Sequence, residues 1–471
     1  MRLSQALMKA AGAGCGGCCC LPHLSSSSSP GEEEKRRKTK KNNLAMNMKR
    51  LALLLMIFTA GTIARSQDNI RLQEAFYEAE YFLMRGDYAD ALQYYQGIYA
   101  AMPDNASIAF RMGLCYLNIE GSKNLAIEYL EKASQKISAK YREGSLRQVE
   151  APYEALFFLG DAYRINYMFE KAKEAYSEYR STLLPSDIEN ILFVDQQITS
   201  CTNAPAIMAQ PVKFTVESID NMINDSNDNF FPVVSSDGKS IVYMTSMKFY
   251  DAIMFSRMVR NEWTPPVNIT PELQSDGDHY VSCLSSKGNL LLLSKDDNIN
   301  SDIYISRFDG VRWEPAKKLG KEINTKYWEA HGYITDDGTK LIFSSDRPGG
   351  FGGLDLYIST LGPDGEWGEP VNMGPEINTP FNDDRPFLID NGNLLFFASQ
   401  GHYNMGGYDI FRSELQGNGL WGKPQNIGYP LNTPDDDIFF CPTAGGRGGY
   451  MSMTRRDQGA GKQDIYLVRF R

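Results

Sequence analysis

From Ile70 to about Asn203 apolar and small residues recur three and four positions apart, the spacing that lines one face of a helix. The pattern restarts roughly every 34 to 45 residues, so the segment reads as repeated helix pairs. In the first pair Gly86-Asp87-Tyr88 forms the turn, Ala91 and Tyr95 stand one helical turn apart, and Pro103 closes the second helix. The second pair carries Gly113 and Tyr116 on one helix and Ala126, Leu130 and Ala133 on the other. The third carries Leu159, Gly160 and Tyr163, then Ala172 and Tyr176, and ends at Pro185. Gly and Ala at such places let helices approach closely while aromatic rings fill the space beside them. An insertion around 140–151 separates the second pair from the third, and a helix from 187 to about 199 is expected to cap the last apolar face.

After a Pro-containing linker at 204–210 the helical spacing stops, and short β runs between Gly, Asp and Asn turns take over. Asp237-Gly238, Lys287-Gly288, Asp337-Gly338 and Asn391-Gly392 lie roughly 50 to 54 residues apart, each between two apolar runs, as hairpin turns do. A third strand follows each time, starting near Ile253, Asp302, Asp355, Asp409 and Asp464, and a fourth is marked by Trp263, Trp313, Trp367 and Trp421 with a proline shortly after. There are five such triplets but four Trp-Pro strands. The missing strand is expected at 212–219, so that strands from both ends of the domain close the ring and leave no open edge. The chain is thus predicted to be an α + all-β multidomain protein, with a helical array over 68–203 and a five-bladed β-propeller over 211–471.

The small and aromatic positions of 68–203 resemble the tetratricopeptide family, which implies peptide or protein binding in the concave groove of the array. The blades closely resemble the TolB-type, WD-like periplasmic propeller repeat. That likeness is sharpest in Ser344-Ser345-Asp346-Arg347-Pro348-Gly349-Gly350-Phe351-Gly352-Gly353-Leu354-Asp355-Leu356-Tyr357 and in Trp367-Gly368-Glu369-Pro370-Val371-Asn372-Met373-Gly374. The order of helical array and propeller resembles the front half of OmpA-family envelope proteins of Bacteroidota, some of them linked to gliding motility and type IX secretion. Their carboxypeptidase-like and peptidoglycan-binding modules are not matched in this sequence, so the resemblance does not extend to wall anchoring.

Ahead of the repeats, Lys49 and Arg50 precede an apolar run at 51–59, and Ala64-Arg65-Ser66 offers a small-x-small cleavage site. A signal peptide is expected over 48–66, with Gln67 as the mature N-terminus and a periplasmic or outer-membrane-associated destination. The apolar run falls short of the roughly 18 to 20 residues that span a bilayer. Residues 1–47, with a Gly/Cys cluster, a serine run and a charged run, have no periodicity and read as an extension outside the folded protein. Export also changes the charge: the whole chain carries −10, and without residues 1–66 it falls to about −18. That balance excludes nucleic acid and a polybasic membrane mode. Cys115, Cys201, Cys283 and Cys441 are far apart in apolar surroundings and are expected as buried thiols.

Acidic residues gather before each first strand: Asp225 and Asp228, Asp276 and Asp278, Glu329, Asp383 and Asp384, and Asp435, Asp436 and Asp437. In a closed ring these corners converge on the channel. One from each blade, namely Asp228, Asp278, Glu329, Asp384 and Asp437, makes a candidate site for a cation or the basic part of a partner. The simpler expectation is that they accept backbone amides where the strand begins, with no metal or cofactor. The Gly-rich run at 347–353, echoed at 404–407 and 447–449, lies between strands and lacks the helix N-terminus that phosphate binding uses. His279 and His331 are expected at matching positions of successive blades, and His402 in a loop. Neither an H-E-x-x-H helix nor a G-x-S-x-G elbow occurs. The reading is a non-enzymatic cell-envelope scaffold or adaptor with protein partners. The alternatives are a glycan-directed hydrolase using channel carboxylates and a purely structural component of an envelope assembly.

Overall fold

The computed structural model of the chain describes residues 69–296, 300–335, 337–454 and 463–471. The expected signal peptide at 48–66 and the extension at 1–47 lie outside the described residues. Seven helices come first: α1 (69–85), α2 (Tyr88–Ala101), α3 (Ala106–Leu117), α4 (Ala126–Ser134), α5 (Glu154–Ile165), α6 (Phe169–Thr182) and α7 (Ile188–Met208). From α2 onward each packs on the next. The close approaches are real, because a Cβ added at Gly113 would lie 2.5 Å from Leu130 Cγ and one at Gly160 2.5 Å from the Tyr176 ring. Asn105 caps α3 by accepting the Ile108 N–H at 3.1 Å. The insertion is tied down by a bridge between Ile137 and Ala151 and by the Val149 carbonyl, which accepts the Ala106 N–H.

α7 is longer than its sequence suggests. It runs through the expected linker to Met208 with Pro205 inside it, although a proline in a helix interior costs about 3 kcal/mol. Burial of Cys201 and Ala204, and hydrogen bonds from Gln196 and Asn203 to propeller loops, offset that cost. The connection to the first strand is therefore only 209–213.

The propeller has five sheets. After β1 (Phe214–Ser218), blade I holds β2 (Asn229–Val234), β3 (Ser240–Ser246), β4 (Asp251–Val259), β5 (Glu262–Trp263) and β6 (Val267–Asn268). Blade II holds β7 (His279–Leu284), β8 (Leu290–Asp296), β9 (Ser301–Arg307) and β10 (Lys317–Lys318). Blade III holds β11 (Glu329–Ile334), β12 (Lys340–Ser345), β13 (Asp355–Thr360) and β14 (Val371–Asn372). Blade IV holds β15 (Asp383–Ile389), β16 (Leu394–Ser399), β17 (Asp409–Glu414) and β18 (Gln425–Asn426), and blade V β19 (Cys441–Pro442), β20 (Gly448–Met453) and β21 (Asp464–Phe470). The first strands β2, β7, β11, β15 and β19 touch in a ring around the axis. As expected, β1 completes blade V: it pairs antiparallel with β21, from Phe214 opposite Phe470 to Ser218 opposite Tyr466.

Two features differ from the sequence reading or were absent from it. The tryptophans precede the outer strand rather than marking it: Trp313, Trp367 and Trp421 bridge back to Phe308, Leu361 and Leu415, and the strand follows at Lys317, Val371 and Gln425. Successive blades are also clasped by an asparagine. Asn324, Asn378 and Asn432 each accept an N–H from, and donate to the carbonyl of, Ile303, Leu356 and Ile410 in the preceding blade's third strand, all within 3.0 Å. Asn224 grips Ile465 the same way at 2.8 and 2.9 Å, so the clasp also locks the point of closure. Blade II uses Thr270, whose hydroxyl accepts the Ile253 N–H.

Candidate functional site

Each first strand begins on one face of the ring, the start face, and turns into the second strand on the other, the hairpin face. The first residues of β2, β7, β11 and β15 are Asn229, His279, Glu329 and Asp383, opposite Thr245, Lys295, Ser345 and Ser399 of the neighbouring strands. In blades III, IV and V a threonine four residues earlier marks this position, where blades I and II have Asp225 and Ser275. Thr325 donates its N–H and hydroxyl to Glu329, Thr379 to Asp383, and Thr433 to Asp437.

Of the five candidate corners, Glu329 and Asp437 therefore occupy equivalent places, Asp228 and Asp278 sit one residue earlier, and Asp384 one residue later. The five do not form one ring. The Thr-x-x-x-acid spacing was the signal that would have aligned Glu329, Asp383 and Asp437. His279 and His331 do not match either: His279 shares the Glu329 position, and His331 lies two residues further along its strand.

Each carboxylate has its own partners. Glu329 is fully buried and also accepts from Ser345 at 2.9 Å and Arg347 at 3.2 Å, and burial pushes its pKa up. Asp383 accepts from Ser399, and burial, with Asp355 nearby, lifts it to about 8. Burial and the neighbouring Asp409 raise Asp437 well above the usual carboxylate range. Asp228 accepts the Gln463 N–H at 3.1 Å. The ligand atoms of Asp276, Asp278 and His279 lie within 4.8 Å of one another, as a metal site would need, but Lys295 pairs with Asp278 and supplies the positive charge there.

Asp384 accepts from Ser344, from the Arg385 N–H at 2.7 Å and from His331 Nδ1 at 2.9 Å. Burial works against its charge, yet His331, by charge and hydrogen bond, together with Arg385 and Ser344, holds it well below the usual range. The Arg385 guanidinium stands 4.4 Å over the Phe231 ring and 5.4 Å from Phe439. Blades IV and I are not neighbours, so the Arg385–Phe231 contact crosses the axis. Phe231, Phe439, Phe387 and Tyr333 continue the filling in a series of ring contacts of 5.1 to 6.0 Å. The acidic candidates thus surround an axis that holds the Arg385 side chain and aromatic rings.

The Gly-rich runs also serve internal carboxylates. Asp355 accepts the N–H groups of Phe351 and Gly352, and Asp409 those of Met405 and Gly406. A Cβ at Gly352 would strike the backbone of Thr379 and Phe381 in the next blade's first turn.

The helices sit on the start face of blades IV and V. Lys123 pairs with Asp435 at 2.5 Å, and Arg164, buried among Asp161 and Tyr176, donates to the Pro434 carbonyl. Gln196 bonds Asn404 at 3.1 Å, and the rings of Phe193 and Phe381 lie 6.3 Å apart. The acidic corner of blade V therefore receives basic groups, but from its own chain. Nothing in the repeat pattern marks Lys123 or Arg164, because both lie where one helix ends or the next begins.

The hairpin face carries a cleft of about 1090 Å³ between blades III and IV. Its inner part is formed by Tyr333, Ile342 and Leu388, and its outer part by Ile358, Met373 and Trp421.

No protein-family model matches the chain, and no curated protein is similar to it. Among solved structures, TolB from Acinetobacter baumannii is similar over 52% of this chain at 18% identity, with a TM-score of 0.33. The chain spans 56% of that protein. The α-L-arabinofuranosidase from Lactobacillus brevis is similar over 54% of this chain and 92% of its own, at 13% identity and a TM-score of 0.34. A putative TolB from Agrobacterium tumefaciens is similar over 50% of this chain and 73% of its own, at 16% identity and a TM-score of 0.30.

Proposed function

We propose that the chain is a non-enzymatic scaffold or adaptor of the cell envelope, in which tetratricopeptide-type helix pairs and the free face of a TolB-type propeller hold protein partners. The observation that carries this reading is the division of the propeller between its two faces. Helices take the start face through Arg164, Lys123 and Gln196, whereas the hairpin face presents an open cleft. A glycan hydrolase needs two carboxyl groups facing a sugar. The burial of Glu329 and Asp383, each satisfied by threonine and serine, and the placement of Arg385 across the axis favour a holding role over acid–base work. Export is proposed from Lys49, Arg50 and the apolar run at 51–59, and among the described residues no helix is long and apolar enough to cross a membrane.

Affinity capture with the full chain from envelope extract, in parallel with a glycan panel, tests the reading. Recovery of a stoichiometric protein partner without glycan turnover is expected. Turnover that disappears in Asp383→Asn would replace the adaptor with an enzyme.

A further inference from the structure

We infer that the cleft between blades III and IV receives an extended segment of a partner polypeptide in which basic residues flank an apolar anchor. This rests on the adaptor reading and names the chemistry of one partner. The cleft lies on the face that the helices leave free, running from the inner turns at Ser236 and Ala444 to the outer tip at Leu420 and Trp421. Its outer wall is apolar: Ile358, Leu415 and Trp421 are half-buried, and Leu420 is 65% exposed.

The charges around it are unbalanced. Among the described lining residues Asp337, Glu376 and Asp390 face a single cation, Lys340. Hydrogen bonds from Thr335 and the Thr339 amide hold Asp337 at about 2, so it stays ionised at any physiological pH. Glu376 is informative beside its counterpart one repeat pair earlier. Glu272 accepts the Trp313 backbone N–H at 2.8 Å, whereas Glu376 accepts no hydrogen bond among the described residues and has only the His402 ring near enough to feel its charge. Its carboxylate thus lines the cleft without a lysine or arginine paired to it among the described residues. A second copy of the chain fits poorly, because the chain is acidic overall and would bring like charge to the cleft.

Fluorescence anisotropy with the full chain and two labelled octapeptides, one alternating Lys and Leu and one alternating Glu and Leu, tests the inference. The Lys/Leu peptide is expected to bind at least about tenfold more tightly than the Glu/Leu peptide, with affinity falling as salt rises. The double variant Glu376→Lys/Asp390→Lys should weaken the Lys/Leu peptide about tenfold, and Leu420→Ser should weaken it several-fold, both with unchanged melting temperature. Equal binding of the two peptides, no binding of either, or binding indifferent to both variants would overturn the inference. The adaptor reading stands or falls separately, on envelope capture.

Discussion

Asp383 has no exposed surface, and its carboxyl is lifted to about 8 by burial and by Asp355. In an unfolded chain the same group titrates near about 3.9. Between those values the folded protein holds a proton that the unfolded chain has lost, so this group's contribution to stability falls as pH rises from about 4 to about 8, by on the order of 1 kcal/mol per pH unit. Asp383→Asn mimics the protonated form and can donate to Ser399 as a protonated carboxyl would. Melting curves at pH 5 and pH 8 should show a smaller loss for the variant than for the wild type; equal losses would mean that Asp383 is ionised when folded. Gly160→Ala makes a second residue-level case, since its new Cβ would meet the Tyr176 ring at 2.5 Å. A loss of about 1 to 3 kcal/mol is expected. Gly97→Ala, with nothing within 4 Å, should be neutral or slightly stabilising by thermal denaturation. Gly160 was legible in the sequence because close packing repeats. The acidic positions were not, because two neighbouring carboxylates such as Asp383 and Asp384 face different partners and only the threonine spacing tells them apart.

At the scale of elements, the count of five triplets against four outer strands led to the closing strand, and β1 pairs with β21 over five residues. Deleting 211–220 should expose the β21 edge and cause aggregation, because an unpaired edge templates association. A chain cut just after Ala209 keeps β1 and should remain soluble with a cooperative melt. Equal behaviour of the two truncations in size-exclusion chromatography would refute closure by β1. The short outer strands were misplaced by four residues because the tryptophan is the conspicuous residue while the ladder follows it, as at Trp367 and Val371. The end of α7 escaped for a related reason. Pro205 argues locally for a linker, and only contacts with distant loops, such as Asn203 to the Asn404 carbonyl, keep the helix going.

For the whole molecule the decisive contacts join residues some three hundred positions apart, and no repeat pattern can show them. Lys123 meets Asp435 in a half-buried pair with Glu120 close by. Lys123→Glu should lower the melting temperature through a penalty of about 1 to 3 kcal/mol and broaden small-angle scattering profiles as the helices loosen from the propeller. The swap Lys123→Glu/Asp435→Lys should recover most of that loss; no recovery would mean that the pair does not hold the junction. With the start face closed by the chain's own helices, a partner is expected to use the hairpin face. Hydrogen–deuterium exchange of the full chain, alone and saturated with the partner captured from envelope extract, tests this most directly. Exchange should slow at 388–393 and 415–421 and stay unchanged at 433–437, whereas protection confined to 433–437 or to the helices, with the cleft unaffected, would contradict it.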